Sequence, residues 1–160
     1  MLSPMVTLVP MPPDAWPAWR DASIRSYAAD MVRVGTWPAE GVEARAAAEL
    51  ANILPQGPGT PGHEFRSIVA DDGTVVGHLW FGPASEIGRG AAFILDIAIV
   101  PGARGRGYGR AALLALEPVV RALGYDSLRL HVFGDNEVAR NLYRTSGYVE
   151  TDVSMRKTLT

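Results

Sequence analysis

The segment from residue 91 to residue 110 constrains the fold of this chain more than any other part of the sequence. Residues 91–100 form a nearly continuous apolar run, interrupted only by Asp96 and ended by Pro101, which is typical of a central strand buried on both faces. A turn rich in glycine and arginine follows, and residues 107–123 place apolar side chains along one side of a helix. The segment therefore predicts a buried strand that leads through a tight turn into a helix.

The turn itself has the composition of an anion-binding site. The first amide N–H groups of a helix have no partner within the helix, and they lie at the positive end of its dipole. Glycines remove side chains that would keep an anion away from these amides, and arginines add forked donors suited to phosphate. The glycines are Gly105, Gly107 and Gly109, and the arginines are Arg104, Arg106 and Arg110. The turn therefore predicts a site for a pyrophosphate group.

The order of these residues excludes two common phosphate-binding patterns. Because position 110 is arginine, the dinucleotide pattern G-x-G-x-x-G is absent, and no Gly-Lys-Ser/Thr follows as a P-loop requires. What remains is Arg104-x-x-Gly107-x-Gly109. A second motif lies further along the chain, after an apolar run at 130–133. It consists of Asn136, Ala139, Leu142-Tyr143 and Gly147-Tyr148.

Together the two motifs resemble those of the GCN5-related N-acetyltransferase (GNAT) family, whose acyl-coenzyme-A loop has the form R/Q-x-x-G-x-G/A. The resemblance covers about residues 64–158, and the run 130–159 is most similar to the YycN-like bacterial acetyltransferases. It implies an α/β fold with a central twisted mixed sheet, in which strands 4 and 5 splay apart between about four helices. We expect one domain, residues 1–160.

Hydrophobic periodicity predicts elements in an order that suits this fold. Pro118 falls inside the third predicted helix and predicts a kink or an early break there. The predicted strands are 6–9, 65–70, 75–81, 91–100, 128–133 and 148–158, and the predicted helices are 14–34, 38–54, 107–123 and 136–146.

The resemblance implies acetyl-CoA as cosubstrate and direct transfer of its acetyl group to an amine. The pantetheine arm would lie between the splayed strands, 93–100 and 128–133, and pair with backbone groups as an added strand does. A backbone N–H there would also polarise the thioester carbonyl. The implied cofactor-binding residues are Ile97, Ile99, Val100, Arg104, Gly105, Arg106, Gly107, Tyr108, Gly109, Arg110, Asn136, Ala139 and Tyr143.

Transfer also needs a group that donates a proton to the departing sulfur. Tyr143 occupies the family's tyrosine position, and a phenol suits this role. A tyrosine on a helix face can instead serve only in packing. Asn136 can similarly act as a helix cap, as a cofactor contact or as both.

A base is needed as well, because a primary amine with a pKa near ~10.4 is almost fully protonated at neutral pH. Some relatives place a glutamate near the start of the fourth strand, where this chain has Phe93. The candidates are Asp96 and His131, each of which could instead be a satisfied core residue; His63 and His78 carry less weight. A bulge is common in this strand of the family, so parity does not assign Asp96 to a face of the sheet.

Composition narrows the function further. The chain has no cysteine, which excludes a cysteine nucleophile and thiolate metal ligands, favours transfer within a ternary complex and leaves no predicted metal site. Residues 1–80 carry five arginines against nine acidic residues, which would suit a cationic amine acceptor. The four tryptophans either belong to the core or line an acceptor pocket: Trp16, Trp19, Trp37 and Trp80.

Two other interpretations stay open. One is a catalytically silent acyl-CoA-binding module of the same fold, which Phe93 favours. The other is a nucleotide- or nucleic-acid-binding domain, which the net charge of −2 and the paired motifs disfavour. No stretch reaches the ~20 apolar residues of a membrane span, so we expect a cytoplasmic protein without membrane or nucleic-acid partners. A homodimer is a further expectation, because many family members form dimers.

Overall fold

The computed structural model describes residues 2–84 and 90–160. The elements follow one another in the order strand, two helices, three strands, helix, strand, helix. They are β1 (Val6–Pro10), α1 (Trp16–Arg33), α2 (Val42–Ile53), β2 (Glu64–Ala70), β3 (Val75–Pro83), β4 (Ala91–Ile99), α3 (Tyr108–Ala122), β5 (Ser127–Leu130) and α4 (Glu137–Thr145).

The strands form one mixed sheet in the order β1-β2-β3-β4-β5. The first four are antiparallel neighbours, whereas β5 runs parallel to β4. This last pairing extends only from Ala91 opposite Ser127 to Ile94 opposite Leu130, and β4 then continues without β5 to Ile99. The predicted α/β fold is confirmed, and the two strands splay apart at the predicted place.

One face of the sheet packs against α3 and α4 through an aliphatic core. The sheet contributes Ile68, Leu79 and Phe81, each fully buried, and α3 contributes Leu113 and Leu116. Burial of large apolar side chains is the main source of folding free energy. We call this side of the sheet the aliphatic face.

The opposite face packs against α1 through aromatic rings. Trp19, Phe65 and Trp80 are buried together, with the Trp19 and Phe65 ring centroids 4.8 Å apart. Trp37 is buried between α1 and α2. Trp16 is half-buried beside a small cavity of about 260 Å³. Three of the four tryptophans are therefore core residues, and we call this side the aromatic face.

The predicted last strand, 148–158, is wrong. The segment alternates apolar and polar residues, yet it pairs with no described strand, and Val149, Val153 and Met155 are 80 %, 64 % and 90 % exposed. Because β5 ends at Leu130, only a four-residue edge is available for pairing. The segment is held by side chains instead, including Glu150, which contacts Arg140 and Arg144 of α4.

The third helix also differs from the prediction at one position. α3 continues through Pro118 to Ala122, so the proline does not end it early. Leu116 and Val120, on either side of the proline, are both buried against the sheet. Tertiary packing therefore outweighs the local cost of a proline inside the helix.

Candidate active site

The glycine turn joins β4 to α3 at the end of the sheet where β4 and β5 have separated. Gly105 and Gly107 have φ angles of +74° and +85°, in the left-handed region that favours glycine. Gly107 is the residue before α3, and a Cβ there would lie 3.2 Å from the Cδ of Pro4. The sequence therefore needs glycine here for the path of the backbone, in addition to any ligand.

The amides of this turn are available to a ligand. Within residues 2–84 and 90–160, the N–H groups of residues 105–110 donate to no protein acceptor, and the first bond of α3 runs from Ala111 N–H to the Gly107 carbonyl. A Cβ on Gly105 would meet no atom within 4 Å, so the approach to the amides is open. Six free N–H groups at a helix start suit a diphosphate. The residues present thus fit the phosphate end of coenzyme A.

The three arginines of the turn have different surroundings. The Arg104 Nε donates to the Ile99 carbonyl at 2.9 Å, which ties the turn to the end of β4. Arg106 is exposed. Arg110, expected to direct its guanidinium at phosphate, instead donates to the Thr145 carbonyl at 2.7 Å, at the C-terminus of α4. A cation is favourable at that end of a helix, so Arg110 leaves only its backbone N–H in the turn.

The free edge of β4 faces the splay. The Val100 N–H donates to the Val76 carbonyl at 2.9 Å, so it points toward β3 and not into the opening expected for it. Because backbone groups of successive strand residues point to opposite edges, Ile97 and Ile99 face the opening. Ile97 therefore offers its N–H and carbonyl to a ligand lying there, and Ile99 offers its N–H.

Tyr143 lies on α4, half-buried and packed against the aliphatic core. Burial raises the pKa of Tyr143 above its ordinary value of 10.0, and the charge of Asp96 raises it further. The neighbouring Tyr148 has a ring centroid 5.8 Å away, and burial raises its pKa to about 12. Tyr143 is therefore a protonated hydrogen-bond donor near neutral pH, close enough to Asp96 to feel its charge.

Asn136 caps α4, since its side-chain oxygen accepts from the Ala139 N–H at 3.2 Å. Asn136 therefore has the helix-capping role that was one of its two predicted roles. Tyr108 is the first residue of α3 and packs against the aliphatic core. Gly109 lets α3 approach α4, because a Cβ there would lie 3.2 Å from Leu142. Tyr108 and Gly109 therefore set the position of α3 after the turn, and Asn136 fixes the start of α4.

Asp96 lies on the aromatic face, where two side chains donate to it. The Trp19 Nε1 donates to Asp96 Oδ2 at 3.0 Å, and the His78 Nε2 lies 2.8 Å from the same oxygen. The register of β3 and β4 shifts at this point: Trp80 lies opposite Asp96, but Phe81 lies opposite Ile94. The extra residue, a β-bulge, places Asp96 on the aromatic face with Trp80.

The structure separates the two base candidates. His131 follows the end of β5, is exposed, and has its ring 5.3 Å from that of Phe133. It lines a cavity of about 910 Å³ with Tyr143, and has no hydrogen bond to Asp96 among the described residues. His131 and Tyr143 thus share a cavity that Asp96 does not line, and Asp96 is related to Tyr143 through its charge.

Sequence reasoning underrated His78 and did not connect Trp19 with Asp96. His78 is 18 residues from Asp96 along the chain and Trp19 is 77 residues away. No local spacing marks such a cluster. Only the pairing of β3 with β4, which sets His78 opposite Ala98, would have placed the imidazole two residues from the carboxylate. His63 lies elsewhere on this face, where it accepts from Trp80 Nε1 at 3.1 Å and burial lowers its pKa.

Comparison with known proteins agrees with this geometry. The model of the Acetyltransferase (GNAT) family matches residues 16–148. The chain is 35 % identical over 154 residues to YycN of Bacillus subtilis (strain 168), described as an uncharacterized N-acetyltransferase, and this match covers 96 % of the chain and 99 % of YycN. YdgE of the same organism, described likewise, is 33 % identical over 153 residues, 96 % of the chain and 98 % of YdgE.

Solved structures give the same result. The crystal structure of YycN superposes with a TM-score of 0.91 at 35 % identity, over 98 % of this chain and 99 % of that one. The aminoglycoside N-acetyltransferase AAC(6')-Iy, solved with CoA, has a TM-score of 0.63 at 16 % identity, over 99 % and 97 % of the two chains, so it shows the fold alone.

A splayed mixed sheet whose fourth strand leads through a glycine turn into a helix defines an acyl-CoA-dependent transferase. The chain belongs to the GNAT family, as the two sequence motifs predicted, and it is an N-acetyltransferase. GNAT acetyltransferases use acetyl-CoA as acetyl donor. No helix within residues 2–84 and 90–160 is long and apolar enough to cross a membrane.

Proposed function

We propose that this protein transfers an acetyl group from acetyl-CoA directly to an amine within a ternary complex, with the turn at 104–110 as diphosphate site. The observation that carries the proposal is the set of unpartnered amides at residues 105–110, located where β4 and β5 have separated. Asp96 belongs to the part of β4 that β5 leaves unpaired, and its charge reaches Tyr143 on α4. These relations support a single site in which acetyl-CoA is bound and protons are transferred.

Each of these residues has a definite task in the proposed reaction. The turn would hold the diphosphate with main-chain N–H groups, and Ile97 would pair with the pantetheine arm along the free edge of β4. Bound acetyl-CoA supplies the thioester whose carbonyl carbon the amine attacks. An N–H on the free edge, such as that of Ile97, would donate to the carbonyl oxygen as charge develops there.

Three protons move, and the one that Asp96 accepts is finally released to solvent. Asp96 would take a proton from the acceptor ammonium, leaving the electron pair on nitrogen for the new C–N bond. Tyr143 would give its phenolic proton to the sulfur as the C–S bond breaks. The raised pKa of Tyr143 keeps that proton in place near neutral pH. The proton lost when the amide forms returns the phenol to its starting state through solvent.

The acceptor proposed is a cationic primary amine. Residues 1–80, which include both helices of the aromatic face, hold nine acidic residues against five arginines. Asp96 itself faces that side, with its side chain 28 % exposed. Charge of this sign attracts an ammonium group and orients it toward the carboxylate.

Release of free thiol from acetyl-CoA tests the proposal directly. Because the chain has no cysteine, a thiol reagent reports CoA alone. We expect release with at least one member of a panel of polyamines, amino sugars and peptides with free N-termini, and release should require the acceptor. CoA binding by calorimetry without thiol release from any acceptor would instead indicate the silent module.

Tyr143→Phe separates chemistry from binding. Since the variant keeps the ring and loses the proton donor, we expect kcat to fall about 100-fold while CoA affinity stays within about twofold. Tyr125→Phe is the matched control, because Tyr125 precedes β5 at the end of the sheet opposite the splay. A large loss of CoA affinity in Tyr143→Phe would contradict the acid role.

A further inference from the structure

The carboxylate of Asp96 is held by one of its two oxygens. Both the Trp19 Nε1 and the His78 Nε2 contact Oδ2, at 3.0 Å and 2.8 Å. Oδ1 accepts no hydrogen bond from the residues that the structure describes. A carboxylate oxygen has lone pairs for further donors, so Oδ1 is the oxygen left for a ligand.

We propose that His78 and Trp19 are positioning residues that fix Oδ2 of Asp96 so that Oδ1 meets the acceptor ammonium. The inference rests on the proposed function, and it goes beyond it by assigning two residues outside the family motifs. In the step concerned, an N–H bond of the ammonium breaks, its proton passes to Oδ1, and its electron pair stays on nitrogen. The two donors on Oδ2 remain in place before and after the transfer.

The surroundings of Trp19 make it a rigid donor. The side chain is 6 % exposed, and its ring meets Phe65 at 4.8 Å and Trp80 at 5.5 Å between centroids, both edge-on. Such pairs restrict an indole to one orientation. The ring of His78 also meets Trp19 edge-on, at 6.2 Å. The donor set is therefore built into the aromatic core rather than attached to a mobile surface chain.

Access distinguishes this arrangement from a buried structural pair. The side chains of His78 and Asp96 are 31 % and 28 % exposed, so an amine can reach the pair from solvent. Among the described residues, the titratable groups that interact with Asp96 are His78 on β3 and Tyr143 on α4, while α1 contributes the uncharged indole. The carboxylate is thus held by a fixed pair of N–H donors and exerts its charge on the phenol of Tyr143.

The test compares variants that keep or remove the donor at the Nε2 position of residue 78. Gln can present an amide N–H near that position without an imidazole, whereas Ala cannot. We expect His78→Ala to lower kcat/KM for the amine about 10- to 100-fold, and His78→Gln to stay within about threefold of wild type. Trp19→Phe should lower kcat/KM about tenfold, and Asp96→Asn at least about 100-fold.

Two readouts separate positioning from general damage to the fold. A carboxylate that has lost a donor is protonated more readily, so the acidic limb of the kcat/KM profile should move to higher pH in His78→Ala and return in His78→Gln. CoA affinity and thermal midpoint should be unchanged in His78→Gln. His63→Gln is the matched control, because it makes the same substitution on the aromatic face away from Asp96, and its pH profile should be that of wild type.

The possible outcomes distinguish failure of the positioning role from failure of the proposed function. Wild-type protein that binds CoA but acetylates no amine refutes the proposed function, and the positioning role with it. Active wild type with an equally active His78→Ala, or an unmoved acidic limb, overturns the positioning role alone. Equal impairment of His78→Gln and His78→Ala with intact CoA binding also overturns it, because the imidazole itself would then be required.

Discussion

The two faces of the sheet are packed with different kinds of side chain. The aliphatic face is closed by Leu, Ile and Phe side chains and carries the glycine turn at its end. The aromatic face packs fewer buried residues around Trp19 and Trp80, and it admits polar atoms. The Asp96 carboxylate hydrogen-bonds there with Trp19 and His78, and His63 accepts a hydrogen bond from Trp80. One face supports a backbone site and the other supports a side-chain site.

This difference bears on how each site is held in place. The N–H groups of the turn are fixed by main-chain conformation, so they need a glycine path and a well-packed α3, but no particular side-chain chemistry. The Asp96 cluster depends on three side chains from α1, β3 and β4 meeting at one oxygen. Aromatic rings suit this task because they are large and stiff, and an indole brings its own donor. Packing on this face therefore determines the orientation of the carboxylate.

The largest expected effect is on the stability of the aliphatic face. Phe81→Ala removes one of the largest fully buried side chains and should lower the free energy of unfolding by about 3–5 kcal/mol, measured by urea denaturation. The control is Leu114→Ala on α3, where the side chain is 55 % exposed and the change should stay within about 0.5 kcal/mol. A small loss in Phe81→Ala would show that this face is not the main core.

A smaller effect is expected where the aliphatic face meets the turn. Gly107→Ala places a Cβ at φ +85° and 3.2 Å from Pro4, so the free energy of unfolding should fall by about 1–2 kcal/mol and CoA should bind more weakly. Gly102→Ala is the matched control, because a Cβ there meets nothing within 4 Å and its φ is not in the left-handed region. Equal CoA affinities of the two variants, by calorimetry, would place the diphosphate elsewhere.

The smallest effect concerns the phenols of the aliphatic face. Burial raises the pKa of Tyr148 from 10.0 to about 12, so the neutral phenol stabilises the folded state fully below pH 10, and this contribution is lost as pH rises toward 12. Tyr148→Phe cannot ionise, and its free energy of unfolding should fall less over that interval. Tyrosinate absorbance should also lose its most alkaline component, and an unchanged titration curve would contradict the assignment.

The sequence could predict the parts of the molecule whose signals lie within a short stretch of the chain. The apolar run of β4, the glycines after it and the spacing of α4 all lie within short windows. They were enough to predict the turn and to carry the family resemblance, which in turn implied the splay. The prediction of a last strand at 148–158 was wrong because alternation indicates a face that could be buried, and does not indicate whether a partner strand is present. The alternation within one segment carries no information on the length of β5, the strand with which that segment would have to pair.

The aromatic face shows where local prediction ends. Asp96 stood out as a charge in an apolar strand, but its partners come from residues 19 and 78, and their meeting depends on the β3–β4 register and its shift. The direction of the Arg110 guanidinium was equally unpredictable, since Thr145 lies 35 residues away. Such contacts depend on the register between strands and on how helices dock, and neither can be deduced from the nearby sequence.

The register shift in β4 has a consequence for deletions in this strand. Ile94 and Ile97 both face the aliphatic core although three positions separate them, because Leu95 and Asp96 share the other side. Deleting Leu95 or Asp96 would restore strict alternation and keep both isoleucines on the aliphatic face, but the aromatic face would lose either a core contact or its carboxylate. The extra residue thus lets one strand give the aromatic face an apolar side chain and a charged one in succession.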